Sequence, residues 1–142
     1  MAIPLTAPIS NSGTNPITQR GRLEFTVFKR RVSLWGIPYG EEIPKGVHRH
    51  RSDVLIIITH AEVNLDGFTF GRHAWEPFGI RNVALLANGH IHAPLSPFLK
   101  GGTVWLNPGS LVRVKKEEPL TPKRLWAWGG SNGSLRSFFV PE

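Results

Sequence analysis

The apolar segment at residues 53–59 constrains the fold of this chain more than any other feature of its sequence. It reads Asp-Val-Leu-Ile-Ile-Ile-Thr, a continuous aliphatic run of strand length. A strand that does not alternate between polar and apolar residues is buried on both faces, and such strands lie in the middle of a sheet. We therefore expect this segment to form a central strand, with the other strands arranged around it.

Two later segments repeat the pattern of an apolar strand followed by a polar turn. Residues 83–87 run into Asn-Gly-His-Ile-His at 88–92, and residues 103–106 run into Asn-Pro-Gly-Ser at 107–110. The first strand likewise runs directly into His60. Ligands of open α/β sheets bind at the carboxyl ends of the strands. If the three strands are neighbours, their polar ends lie at one edge and form a candidate site.

Shorter alternating segments predict two hairpins. Residues 22–28 and 32–36 mix β-branched and aromatic residues with polar ones, and residues 124–128 and 134–140 flank a glycine-rich turn. With 15 Gly and 12 Pro, the chain favours turns and short elements over long helices. Residues 61–78 show no clear period, and we expect a loop there, with a short helix or hairpin inside it.

Three histidines supply the candidate chemistry. His90 and His92 are two residues apart, so in an extended segment both imidazoles face the same side. Imidazole nitrogen binds zinc, iron, nickel and manganese, which makes His60, His90 and His92 a candidate metal-binding set. A structural interpretation stands beside this one. A single histidine at a strand end is commonly a hydrogen-bonded capping group, and Asn-Pro-Gly-Ser is by itself a tight-turn sequence.

The order of these motifs resembles the calcineurin-like metallophosphoesterase family. Thr-His at 59–60 is followed by Gly-His-Ile-His at 89–92 and by Asn-Pro-Gly-Ser-Leu-Val-Arg at 107–113. The resemblance spans about residues 23–128 and, within the family, is strongest to phage and bacterial members related to DNA-repair nucleases. It implies an α/β (α+β) fold, namely the C-terminal half of a strand-rich β-sandwich flanked by helices.

The same resemblance implies a function and a set of ligands. His60 and His90 would bind one ion of a dinuclear centre and His92 the other, with Mn, Fe, Zn or Ni as the divalent metal. The implied activity is hydrolysis of a phosphate ester, either a monoester or a diester, by metal-bound hydroxide. A nuclease is one such enzyme, and nucleic acid is one such substrate.

The carboxylate motifs of that family are missing from this chain. It contains no Asp-x-His, no Gly-Asp and no Gly-Asn-His, and its only aspartates are Asp53 and Asp66. Two metal ions about 3.5 to 4 Å apart are the basis of the family's chemistry, and neutral imidazoles cannot offset the repulsion between them. We therefore expect the isolated chain to be weakly active or inactive, as a truncated or split form of the enzyme would be.

The missing half has consequences for organisation and partners. We expect a flexible N-terminal arm at residues 1–19, which are rich in Pro, Ser, Thr and Asn, and a metallophosphoesterase C-terminal portion at residues 20–142. The open edge of a half-sheet exposes unpaired backbone groups. A complementing N-terminal polypeptide or a homo-oligomer is therefore the expected partner.

Net charge allows a second interpretation of function. The chain carries a formal charge of +7, which attracts phosphates and nucleic acids, so a non-catalytic, basic nucleic-acid-binding module with a single metal is the alternative. The absence of cysteine excludes disulfides and thiolate metal sites and fits a reducing compartment. Because no apolar run is long enough to span a bilayer, we expect a cytoplasmic protein with no membrane partner.

Overall fold

Strands dominate the part of the chain that the computed structural model describes, which comprises residues 22–27, 29–47, 54–65, 67–110, 124–129 and 134–140. The elements are β1 (Arg22–Val27), β2 (Arg30–Ile37), β3 (Val54–Thr59), β4 (Leu85–Asn88), β5 (Phe98–Lys100), β6 (Thr103–Leu106), β7 (Arg124–Gly129) and β8 (Ser134–Phe139). The predicted arm at residues 1–19 and both aspartates lie outside the described residues.

Six of the strands form one mixed sheet in the order β1-β2-β3-β4-β6-β5. Strands β2, β3, β4 and β6 are parallel, while β1 and β5 run antiparallel at the two ends. The predicted central position of β3 is confirmed. So is the adjacency of β3, β4 and β6, whose parallel direction brings their carboxyl ends to the same edge.

No helix occurs among the described residues, so the prediction of a sandwich flanked by helices is wrong for that part of the chain. The segment between β3 and β4 shows why. Val63 and Leu65 are buried in an extended, alternating pattern, and each makes an isolated β-bridge. Gly67 and Gly71 follow with φ of 77° and 101°, values outside the helical region. The described residues likewise contain no helix long and apolar enough to cross a membrane.

One face of the sheet carries the main core. Trp35, Ile57, Leu86 and Trp105 point from successive strands into a cluster with apolar residues of the connecting loops. These loop residues are fully or nearly fully buried, and they are Ile43, Val47, Val63, Ile80, Val83 and Ile91. The loops therefore fill the layer that helices were expected to occupy.

The opposite face is also apolar but is only partly covered. Gly36, Ile58 and Ala87 lie side by side in register on β2, β3 and β4, and we call these three residues the open face. Val54, on the same side of β3, is buried, whereas Ile58 remains 49% exposed. Burial on both faces, which the sequence of β3 predicts, is thus confirmed for Val54, Leu55, Ile57 and Thr59, whereas Ile56 is half-buried and Ile58 is exposed.

The last two strands form the predicted C-terminal hairpin as a separate two-stranded sheet. Strand β5 has no counterpart in the sequence prediction. It is three residues long, and all three residues are exposed. Gly101 and Gly102, which both have positive φ, join it to β6. A Cβ atom on Gly79 would lie 2.6 Å from the carbonyl oxygen of Gly101, so this turn packs backbone against backbone.

Candidate metal centre

The three predicted histidines lie at the carboxyl edge of the parallel strands. His60 directly follows β3 and is exposed, while His90 and His92 follow β4 and are half-buried. Between the latter two, Ile91 is 4% exposed and belongs to the core. The alternation of half-buried His90 and His92 with buried Ile91 agrees with the expected i, i+2 pattern. That both imidazoles face one pocket stays a prediction.

His60 and His90 come together at this edge. Their ring centroids are 4.9 Å apart and the planes meet at 82°. The backbone brings the two loops into contact, because the Gly89 N–H donates a hydrogen bond of 2.9 Å to the carbonyl oxygen of Thr59. The two loops are in close contact here, since a Cβ atom at residue 89 would lie at an ordinary van der Waals distance of 3.6 Å from Nδ1 of His60.

Aromatic residues enclose His90 in a way that the sequence analysis missed. Tyr39 stacks on the imidazole, with centroids 5.8 Å apart and planes inclined by 19°. Phe70 meets the same ring edge-on at 5.2 Å. The Tyr39 hydroxyl donates a hydrogen bond of 3.1 Å to Glu62, and this bond raises the pKa of the tyrosine. Tyr39 could have been found, because it follows β2, the parallel neighbour of β3.

Nδ1 of His90 is buried and has no hydrogen-bond partner in the structure. Burial lowers the pKa of His90 below its ordinary value of 6.5, and the nearby imidazolium form of His60 lowers it further, against a smaller opposing effect of Glu62. His90 is therefore neutral near pH 7. A metal ligand must be deprotonated, and an unpartnered nitrogen keeps its coordinating capacity free.

The ligand set is nevertheless incomplete for the dinuclear centre that the resemblance implies. Within the described ranges, no group of three or more His, Asp or Glu residues is arranged to hold a metal ion. The pair His60 and His90 fits part of the coordination shell of one ion that accepts imidazole, such as Zn²⁺ or Ni²⁺. It does not fit a pair of ions, because no carboxylate of the described residues bridges the two rings.

Two cavities flank the histidine pair. One, of about 290 Å³, has aromatic walls from Tyr39 and Trp75 and carries Glu41, Glu42 and Glu62. The other, of about 540 Å³, is a shallow apolar cleft that includes the whole open face. It runs from Ile58 and Ala87 up to His60, Gly89 and Pro108. The uncovered apolar surface is thus continuous with the edge that holds the histidines.

The lowered pKa of His90 predicts the pH dependence of its charge and of stability. The folded state binds fewer protons at His90 than the unfolded state, so the free energy of unfolding should rise with pH up to about 6.5 and fall below it. A His90→Ala variant should lack this part of the slope. NMR titration should show His90 titrating below 6.5, with a partial return toward 6.5 in His60→Ala, where burial and the smaller effects of Glu62 and His92 remain. An unshifted wild-type titration would contradict the burial of the ring, and an unchanged titration in His60→Ala would contradict the closeness of the two rings.

Comparison with models of protein families, with curated proteins and with solved structures found no match to this chain.

Proposed function

We propose that this chain is one half of a metal-dependent phosphoesterase. In this proposal His60 and His90 bind one divalent ion, His92 binds its partner ion, and carboxylates supplied by another polypeptide complete the centre. The observation that carries it is the neutral, unpartnered Nδ1 of His90 beside His60, at the carboxyl ends of parallel strands. Strand ends of this kind are where open sheets bind their ligands.

The chemistry of the ion explains why the histidines alone do not suffice. When bound, such an ion polarises a phosphoryl oxygen and lowers the pKa of a coordinated water. In this proposal the residues of this chain bind the ion and orient its imidazole ligands. Tyr39 and Phe70 contact the His90 ring, while the Glu62 carboxylate accepts the hydrogen bond of the Tyr39 hydroxyl. Among the described residues, a phosphate ester approaching this edge would therefore meet two imidazole ligands for one ion, beside a Glu62 carboxylate that is already hydrogen-bonded.

The partner in this proposal covers the open face. Parallel sheets are normally buried on both sides, and Ile58 at 49% exposure lies on the side that lacks a complete cover. A complementing polypeptide seated there would approach His60 along the apolar cleft. Self-association through the same face is the other form that such a partnership can take.

Hydrolysis of bis(p-nitrophenyl) phosphate tests the proposed function. The purified chain loaded with Mn²⁺, Zn²⁺ or Ni²⁺ should hydrolyse this ester no faster than the free metal ion, because no carboxylate of the described residues joins the two imidazoles in a metal site. Addition of a polypeptide that carries Asp-x-His, Gly-Asp and Gly-Asn-His motifs should produce metal-dependent hydrolysis, and His90→Ala should remove it.

Two results would count against the proposal. Substantial hydrolysis by the chain alone would show that the site is already complete. Absence of hydrolysis with the added half, combined with salt-sensitive binding to DNA of any sequence, would favour the basic nucleic-acid-binding module.

A further inference from the structure

Two buried asparagines connect the loops that carry the histidines. Asn88, the last residue of β4, is 1% exposed, and its Oδ1 accepts a hydrogen bond of 2.9 Å from the Ala61 N–H. Its Nδ2 donates to Oδ1 of Asn107 at 3.4 Å. Asn88 thus bonds the residue that follows His60 and also reaches the turn after β6.

Asn107 extends the connection to the second histidine loop. This side chain is 2% exposed, and its Nδ2 donates to the carbonyl oxygens of Ile91 at 2.8 Å and Ala93 at 2.9 Å. These two carbonyls lie on either side of His92. The carbonyl oxygen of His92 itself accepts a hydrogen bond of 2.8 Å from the Ser110 N–H.

We infer that Asn88 and Asn107 are positioning residues that set the separation between His60 and the loop carrying His90 and His92. Asn107 Nδ2 donates to residues adjacent to His92, namely Ile91 and Ala93. Asn88 accepts its backbone hydrogen bond from Ala61, which is adjacent to His60. The backbone bond from Gly89 to Thr59 fixes the other side of His60. The role in metal binding rests on the proposed function, whereas the role in geometry does not.

Each of the two positions requires a side chain that both accepts and donates. Asn88 accepts from the Ala61 N–H and donates to Asn107, which in turn donates to the carbonyls of Ile91 and Ala93. The uncharged amide of asparagine provides an acceptor and a donor in one short side chain. Leucine has a similar volume but leaves these buried backbone groups unsatisfied. Aspartate at position 107 has no donor for the carbonyls of Ile91 and Ala93.

The test separates positioning from general stabilisation. Asn88→Leu and Asn107→Leu are compared with Thr103→Val. This variant removes a buried hydroxyl bonded to Ile80 and Val83 at the first residue of β6, the end of that strand opposite to the histidine edge. Both asparagine variants should weaken or lose the NOE between the ring protons of His60 and His90. Thr103→Val should keep it, even though its stability also falls.

Metal affinity and amide exchange complete the test. Calorimetry with Ni²⁺ should show a loss of about 10- to 100-fold in both asparagine variants, the range for outer-shell partners, and little change in Thr103→Val. In the wild type, the Ala61 amide should exchange as slowly as those of β3, a measurement that stands if a variant fails to fold.

An unchanged NOE and unchanged affinity in the folded asparagine variants would overturn the inference, as would a rapidly exchanging Ala61 amide. If the wild-type chain binds no Ni²⁺, the proposed function fails, and the NOE comparison alone decides on the positioning role.

Discussion

Replacement of His90 by alanine is expected to abolish site-specific binding of Zn²⁺ or Ni²⁺ to this chain. The ring supplies a buried Nδ1 with no competing hydrogen bond, and it lies 4.9 Å from the ring of His60. Loss of an outer-shell partner already lowers metal affinity by about 10- to 100-fold, so loss of the ligand itself should exceed that range. Isothermal titration calorimetry at pH 7 measures the effect.

The matched control is His73→Ala. His73 is an exposed imidazole that lines the acidic cavity, so its removal lowers the histidine count equally and should leave the affinity unchanged. His60→Ala should resemble His90→Ala, and the double variant should add little, because one ion needs both rings. Equal affinity in His90→Ala and the wild type would place the metal elsewhere on the chain.

The position of these histidines follows from features that sequence carries locally. An apolar run without alternation identifies β3 as a central strand, and the same pattern identifies β4 and β6. Once three such strands are parallel neighbours, the residues after them meet at one edge. The closeness of His60 and His90 is therefore a consequence of strand pattern and sheet direction, and needs no knowledge of the loops.

The layer that covers the sheet could not be predicted in this way. Val63, Ile80 and Val83 are buried although they lie in irregular loops. Long-range hydrogen bonds hold the backbone of these loops in place. Thr103 Oγ1, for example, accepts from the Ile80 N–H and donates toward backbone carbonyls of the same turn. Such bonds join residues 20 or more positions apart and leave no periodic signal. The sequence therefore led us to expect helices in this layer, whereas the chain forms turns and isolated β-bridges there.

The residues around the histidines were likewise only partly predictable from the sequence. Asn88 and Asn107 look like turn residues in the sequence, because their partners come from other strands. Phe70 reaches His90 only through the fold of the loop after β3 and has no sequence signal. Side chains placed by strand ends were predictable, whereas side chains placed by loop packing were not.

The loop layer and the sheet should depend on each other, and Trp105→Ala tests this dependence. Trp105 is 2% exposed, contacts Phe78 with ring centroids 6.0 Å apart, and donates a hydrogen bond of 2.9 Å from Nε1 to the Phe78 carbonyl. Removing a buried tryptophan side chain typically costs about 3 to 5 kcal/mol. Because domains are stable by only about 5 to 15 kcal/mol, the variant should be close to unfolding.

Trp105→Phe separates packing from hydrogen bonding in the same position. It retains an aromatic ring against Phe78 but leaves the carbonyl without its donor, a change of about 1 to 3 kcal/mol. Urea unfolding followed by circular dichroism measures both variants. Trp105 pairs with Leu86 on β4, the strand that leads into His90, so Trp105→Ala should also lose the NOE between His60 and His90 at urea concentrations that the wild type tolerates. A loss below about 1 kcal/mol in Trp105→Ala would mean that the loop layer packs independently of β6, since a fully buried side chain normally contributes more.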